Sequence, residues 1–315
     1  MPAATQVLTL ISSRSTRTSS ESKIASAPKL GVGLLFNPAL PDFVDAHSES
    51  FDYLEIIPDR EWLDRGMNSS PRYSILDKSF TLLRRVRETK PMVCHAIGLS
   101  IGSAALFDTG HVDQIRRLQE QLSFAWHSDH LSFARLPQGD REMHTAISLP
   151  VPYDLEVLDL VTERVRHITS TVPCPFLLEN NVYYVDAPDQ EMNEAEFLNR
   201  LSIESGCGIL LDLHNVYVNC RNYGFTPESF LRDLDLSRVV ELHIAGGDDL
   251  LGFYTDAHAG PVAEPVWVLL EDTLRAAPWI RAVTFEFHES SYRLLRTEGI
   301  LAELGHARKI WDRFC

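Results

Sequence analysis

The absences in this chain narrow the field first. Its five cysteines, Cys94, Cys174, Cys207, Cys220 and Cys315, are odd in number and contain no C-x-x-C pair. This pattern argues against a disulfide framework or a zinc ribbon and fits a reducing compartment, the cytoplasm. No run approaches the roughly 18 apolar residues of a membrane-spanning helix, so no membrane contact is expected. Basic residues are scarce: 29 Lys and Arg stand against 44 Asp and Glu, a formal net charge of -15 at pH 7. A phosphate backbone wants a basic stripe, so nucleic acid is not an expected partner. The chain also lacks a G-x-G-x-x-G loop after its first apolar strand, an H-E-x-x-H pair and any internal repeat. Dinucleotide binding of the doubly wound kind and the common metalloprotease site drop out with them.

What the chain does have is apolar runs that stop at a polar side chain. In Gly208-Ile209-Leu210-Leu211-Asp212-Leu213-His214-Asn215 the run ends in a carboxylate, an imidazole and an amide. It reads as a buried strand, and residues two apart on a strand face the same way, so Asp212 and His214 are expected to share a site. The design recurs at Met92 to His95, Phe176 to Glu179, Val239 to His243 and Val283 to Glu286. Further strands are expected at Leu30 to Phe36, at Phe51 to Ile57 and at Ser123 to Trp126, the last opening onto His127-Ser128-Asp129-His130. Apolar spacing predicts helices at Tyr73 to Thr89, Val112 to Leu122, Asp154 to Ile168, Asn193 to Glu204, Glu264 to Ala276 and Leu295 to Phe314, with another from Thr226. Pro137 to Glu142 reads as a polar turn, and a long loop carries Asp256-Ala257-His258.

Strands alternating with helices call for parallel pairing through right-handed crossovers. Eight such units close into a single TIM (β/α)8 barrel over residues 30–315. An open doubly wound sheet is the rival, and the missing phosphate loop counts against it. Residues 1–29, rich in Ser, Thr, Ala and Arg and nearly free of acid, read as a disordered leader, with a transit peptide as the alternative. Barrels of this kind place their chemistry at the C-terminal ends of the strands, which makes the recurring acids and imidazoles a functional signal.

The candidate metal ligands are His95, Asp129, Glu179, Asp212, His214, His243, Asp256, His258 and Glu286. An ion takes about four to six donors, so this set suffices for two ions, or three with bridging carboxylates. Imidazole and carboxylate without thiolate suit iron, manganese or zinc. Any one strand-end histidine is more often a structural, hydrogen-bonded group. A lone Glu such as Glu286, between Phe285 and Phe287, differs, because burying its charge is costly without a cation or a proton. His130, Asn180 and Asn215 are the candidate catalytic or substrate-facing groups, the asparagines having an equal reading as turn residues. His144 is placed behind the ligands or towards substrate, and Cys94 in the core. A divalent-metal sugar isomerase or phosphodiesterase and a non-catalytic metal- or peptide-binding barrel are the competing functions.

With those residues named, the chain resembles the multinuclear non-heme iron-dependent oxidative enzymes, formerly a family of unknown function, over about residues 30 to 305. The resemblance rests on His95-Ala96-Ile97-Gly98-Leu99-Ser100-Ile101-Gly102, Ser128-Asp129-His130-Leu131, Leu177-Leu178-Glu179-Asn180, Leu211-Asp212-Leu213-His214-Asn215-Val216-Tyr217, Glu241-Leu242-His243-Ile244-Ala245-Gly246 and Asp256-Ala257-His258. It implies a TIM barrel holding two or three irons, Fe(II) and Fe(III), with dioxygen as co-substrate. It also implies a cysteine-containing precursor peptide as substrate and a small leader-peptide-binding protein as partner, in a heterodimer. Cysteine would be converted to oxazolone and thioamide, or a carbon excised from a C-terminal cysteine, and the nine residues proposed as ligands would hold or bridge the irons. Two departures stand out. Ile57 occupies a position where the family pattern has His, and many members carry Glu at the place of Asp129 and Asn at that of His214.

Overall fold

The computed structural model describes residues 23–138, 141–185 and 190–315. Eight parallel strands form a closed barrel: β1 (Gly31–Leu35), β2 (Tyr53–Ile56), β3 (Met92–His95), β4 (His127–His130), β5 (Phe176–Glu179), β6 (Gly208–Asp212), β7 (Val239–Ala245) and β8 (Ala282–Glu286). Their order around the barrel follows the chain, and β1 closes on β8 with Gly31 opposite Ala282. This is the expected TIM barrel. The helices are α1 (Pro41–Ala46), α2 (Asp77–Arg87), α3 (Thr109–Leu122), α4 (Leu155–Thr171), α5 (Glu194–Ser205), α6 (Leu213–Tyr223), α7 (Pro227–Asp233), α8 (Glu264–Ala276) and α9 (Tyr292–Phe314).

Sequence explains how these helices start and which face they bury. In α3 the buried Val112, Ile115, Leu118 and Leu122 recur at helical spacing against the barrel. Asp154 accepts a hydrogen bond from the Val157 N–H at 2.8 Å, and Asn193 from that of Glu196 at 2.8 Å. Each such cap satisfies an N–H the helix leaves free, worth about 1 kcal/mol. Gly206 and Gly224 end α5 and α6 with φ of 81° and 77°, a conformation that suits residues without a Cβ.

Inside the barrel the side chains lie in levels. The lowest is apolar, with Tyr53, Val93, Trp126, Leu177, Leu210, Val240 and Ala282 packed together over Ala27. Tyr53 reaches across because β1 offers no side chain at Gly33, where a Cβ would collide with the ring. Above that level Glu241 receives hydrogen bonds from Tyr53 OH at 2.9 Å, Thr284 Oγ1 at 2.8 Å and Trp126 Nε1 at 2.6 Å. A register shift in the pairing of β6 with β7 sets Glu241 opposite Leu210 and His243 opposite Asp212.

Several expectations are corrected. The fourth strand is His127–His130 and not Ser123–Trp126. Ser123 ends α3 in the left-handed region at φ 52°, and Ala125 and Trp126 only begin the backbone pairing with β3. The segment from Tyr73 starts as a strand, Tyr73–Ile75, paired with Trp62–Asp64, before α2 begins at Asp77. The expected polar turn after Pro137 joins two longer strands, Ser132–Gln138 and Arg141–Pro150, with residues 139–140 outside the described residues. The long loop before Asp256 contains a hairpin, Asp248–Leu250 with Phe253–Thr255. All three hairpins lie outside the barrel. Of the stretch read as a leader, residues 1–22 lie outside the described residues, while residues 23–25 form a helical turn and Ala27 is buried under the barrel.

Candidate metal centre

The C-terminal ends of five strands aim side chains at one place above Glu241. His95 ends β3, His130 ends β4, Glu179 ends β5, His243 lies in β7, and Glu286 ends β8. Glu179 Oε2 is 3.3 Å from His95 Nε2 and 3.0 Å from His130 Nε2, and His243 Nδ1 is 3.3 Å from Glu286 Oε2. Neither Glu179 Oε2 nor His243 Nδ1 has a partner in hydrogen-bonding geometry. Atoms that close but not aligned with one another are placed as donors to a common ion would be. The ligand atoms of His95, His243 and Glu286 lie within 4.8 Å of one another, as do those of His95, His130 and Glu179, and those of Glu179, Asp212 and His243.

A second group adjoins the first. Asp256 Oδ1 is 3.0 Å from His258 Nε2 and 3.7 Å from His214 Nε2, and His258 Nε2 is 3.5 Å from Glu286 Oε2. Glu286 thus lies between the two groups. His214 arrives by a route other than the expected one. The strand stops at Asp212, whose Oδ1 caps α6 by accepting the Asn215 N–H at 2.8 Å, and His214 stands on the first turn of that helix.

The groups behind the donors fix which atom each presents. Ser128 Oγ is 2.9 Å from His95 Nδ1, which leaves Nε2 for the centre. Glu55 Oε2 is 3.1 Å from His243 Nε2, which leaves Nδ1. Such outer partners set ring orientation and tautomer in metal sites. Asn180 clasps the backbone of Asp212, its Oδ1 accepting the N–H at 2.7 Å and its Nδ2 donating to the C=O at 3.0 Å. Asn215 Nδ2 donates to the Asn180 C=O at 3.1 Å and approaches Glu179 Oε1 at 3.4 Å.

Burial dominates the electrostatics. It holds His95 well below the ordinary imidazole value and brings His130 and His214 down to about 4, so their lone pairs are free at neutral pH. It pushes Glu179 well up, Glu55 to about 8 and Asp212 to about 7. Burial also opposes charge on His258, but Asp256 and Glu286 overcome it and raise that imidazole to about 10. The same contest raises His243, through Glu286 and Glu55, and lowers Glu286, through His243 and His258. The centre therefore holds protons among crowded acids. A cation would replace them, since ligands must shed their protons to bind metal.

Of the proposed ligands, the structure gathers His95, Glu179, Asp212, His214, His243, Asp256, His258 and Glu286, with His130 among them and 23% exposed. Asp129 stands apart. Alternation along β4 sends Ser128 and His130 inward and Asp129 outward, where it accepts the N–H groups of His130 and Leu99. His144 lies exposed on the long hairpin, and Ile57, half-buried, offers no donor. Sequence reasoning put Glu55 near the end of the second strand and Glu241 in the strand of His243, but counted neither among the site residues. The signal was available, because Glu55 falls two residues after Tyr53 and Glu241 two before His243.

Fold and site together define a (β/α)8 barrel with a candidate metal centre at its C-terminal rim. Residues 29–312 match the family described as RiPP precursor modification enzyme MbnB/TglH/ChrH, and the chain belongs to that family. Its relatives include a UPF0276 protein of Chromobacterium violaceum, 39% identical over 196 residues, which span 62% of this chain and 69% of the relative. Another, from Rhizorhabdus wittichii, is 34% identical over 242 residues, 76% of this chain and 81% of the relative. Among solved structures, endonuclease IV from Thermus thermophilus aligns with a TM-score of 0.54 at 16% identity, covering 91% of this chain and 98% of that one. D-psicose 3-epimerase from Clostridium cellulolyticum gives 0.54 at 12% identity, covering 90% and 97%. At such identities the likeness is one of fold alone. Among the described residues, no helix is long and apolar enough to cross a membrane.

Proposed function

We propose that the chain oxidises a cysteine residue of a ribosomally synthesised peptide, using iron and dioxygen. The products would be an oxazolone and thioamide, or a C-terminal residue with one carbon excised. The observation that carries the reading is the convergence of buried imidazoles and carboxylates in which Glu179 Oε2 and His243 Nδ1 lie close to their neighbours without a hydrogen-bond partner, while the Nε2 atoms of His95 and His130 face each other at 2.9 Å. Membership of a peptide-modifying family supplies the substrate class.

The donor set fits iron, because it is mixed imidazole and carboxylate without thiolate. His95, His130, Glu179, Asp212, His243 and Glu286 would hold one ion, and His214, Asp256 and His258 would hold a second, with Glu286 between them. Two or three irons are proposed, Ile57 leaving the Glu55 side without the histidine of the family pattern. When bound, iron supplies the redox chemistry with dioxygen and Lewis-acid activation of the cysteine thiol. The protein's own part is to orient and to desolvate. Ser128 and Glu55 fix the rings of His95 and His243, and Asn180 and Asn215 brace Asp212 and Glu179. His130 and His258 are the more exposed members, 23% and 26%, and mark the side from which a peptide would enter. A small protein that binds the peptide leader is the proposed partner, and the cytoplasm the proposed location.

The test is elemental analysis with Mössbauer spectroscopy on protein isolated anaerobically, followed by oxygen uptake and peptide mass in the presence of the cysteine peptide and partner. Two or three irons per chain, oxygen consumption and a changed cysteine mass are expected. Iron-loaded protein that consumes no oxygen and leaves the cysteine unchanged would sink the reading. Zinc or manganese alone, with no gain on iron loading, would favour an isomerase or hydrolase.

A further inference from the structure

A cavity of about 290 Å³ lies beside the barrel, lined by Tyr183, Val185 and Gln190 after β5, by the first turn of α5, and by α7. None of the candidate metal ligands lines it. Its walls are aromatic: Tyr153, Tyr183, Tyr223 and Phe230, with the rings of Tyr183 and Tyr223 4.9 Å apart. Glu194 also lines it and is only 7% exposed. The Tyr153 hydroxyl and the Asn181 N–H hydrogen-bond its carboxyl, yet Oε1 has no partner. Leaving a buried carboxylate oxygen without a partner is destabilising. Burial accordingly pushes this carboxyl up to about 8. Asp233, exposed, adds a second acid to the lining.

A buried acid ringed by aromatic faces is a poor host for an anion or an apolar group and a good one for an organic cation. The acid supplies the counter-charge, and the ring faces attract the cation through their quadrupoles. We propose that this cavity binds the ammonium or guanidinium end of a lysine or arginine side chain, with Glu194 as counter-ion and the tyrosines around the aliphatic stem. That the side chain belongs to the peptide substrate rests on the function proposed above, whereas the cation site itself does not. Tyr183 follows Glu179, the last residue of β5, by four residues. A basic residue held here would therefore anchor a peptide next to the metal centre and give this chain its own share of substrate recognition.

Calorimetric titration of the full chain tests it, with Nα-acetyl-lysine amide, Nα-acetyl-arginine amide, putrescine and the neutral Nα-acetyl-norleucine amide as probes. The basic amides should bind at least about tenfold more tightly than the norleucine amide, a difference of about 1.4 kcal/mol. At pH 7 their binding should release protons to the buffer, since a cation favours ionised Glu194 over the protonated form held by burial. The titratable groups nearest it are Tyr153 and Cys220, and Tyr183, Tyr223 and Asp233 share the lining of the cavity. Glu194→Gln should abolish the preference for cations, and Asp233→Asn, at an exposed site, should weaken it a few-fold. The affinities should be the same with iron or with chelator, so loss of the metal reading leaves this result standing. Equal binding of the norleucine amide, or an unchanged cation preference in a folded Glu194→Gln, would overturn the proposal. Should that variant not fold, an unchanged preference in Asp233→Asn and Tyr223→Ala together would do so. Putrescine binding more tightly than either amide would overturn the assignment to a peptide side chain.

Discussion

Glu241 and Glu179 are both buried carboxylates inside one barrel, on strands that are near neighbours, yet their surroundings are opposite. Glu241 takes three hydrogen bonds, from Tyr53, Thr284 and Trp126, and sits fully enclosed above an apolar floor. Glu179 faces two imidazoles at 3.3 and 3.0 Å without aligned hydrogen bonds, and its Oε2 is unpartnered. Buried polar groups in proteins are nearly always satisfied, so the exceptions need a reason. One carboxylate is saturated by the fold and belongs to the scaffold. The other is left open by the fold, and what completes it must come from outside the chain.

The contrast can be broken most directly at Glu241. Glu241→Ala would leave three buried donors, on Tyr53, Thr284 and Trp126, without their acceptor, each costing about 1–3 kcal/mol, so unfolding stability should fall by about 3 kcal/mol or more with metal or without it. Urea denaturation with and without chelator is the check, and a loss seen only in the metal-loaded protein would recast Glu241 as a ligand. Glu179→Gln should act the other way. Metal affinity should fall by more than the about 10- to 100-fold typical of an outer partner, while the metal-free chain unfolds almost as before. Elemental analysis and thermal unfolding of the same preparation read both halves.

The pH dependence sharpens the same distinction. Glu55 moves from 4.5 to about 8 and Asp212 from 3.8 to about 7 on folding, so each binds its proton more tightly when folded. Folding then takes up protons in that interval, and stability is lost as pH rises through about 7 to 8. His258, raised from 6.5 to about 10, has the same sign at higher pH. The metal-free chain should melt at least about 2 °C lower at pH 9 than at pH 6, equivalent to about 1 kcal/mol in a domain of this size. Metal loading should shrink or reverse that fall, and a melting temperature that rises between those pH values would contradict the account. The smallest effect belongs to Asp129→Asn. Burial pushes that carboxyl well up, and its contacts lie behind β4. Metal content should be unchanged and stability altered by less than about 1 kcal/mol, within the range of a single neutral hydrogen bond.

The barrel was legible because its strands are short apolar runs between amphipathic helices, each run ending in a side chain unsuited to a core. Where the core itself is polar the same signal misleads. Phe124 and Trp126 look like strand residues, and His127-Ser128-Asp129-His130 looks like a loop, yet the latter is β4. That displacement also explains Asp129. Once the strand is placed on His127–His130, alternation turns Asp129 away and brings His130 in. The hairpin at Trp62–Asp64 and Tyr73–Ile75 left little trace, because strands of three residues are too short for a period to emerge. Glu55 and Glu241 were overlooked for a different reason. They sit mid-strand, and only their partners across the barrel tell which of them is spoken for.

Gly33 carries no chemistry, yet the Tyr53 ring occupies the space its side chain would fill, and Tyr53 is one of the three donors to Glu241. Any larger residue would press on that ring from the neighbouring strand, where Gly33 is paired with Tyr53, and disturb the floor on which the rim stands. A library screened for loss of function should therefore score Gly33 as intolerant alongside the histidines. A map of such intolerance would outline a column running down through the barrel rather than a patch at its mouth.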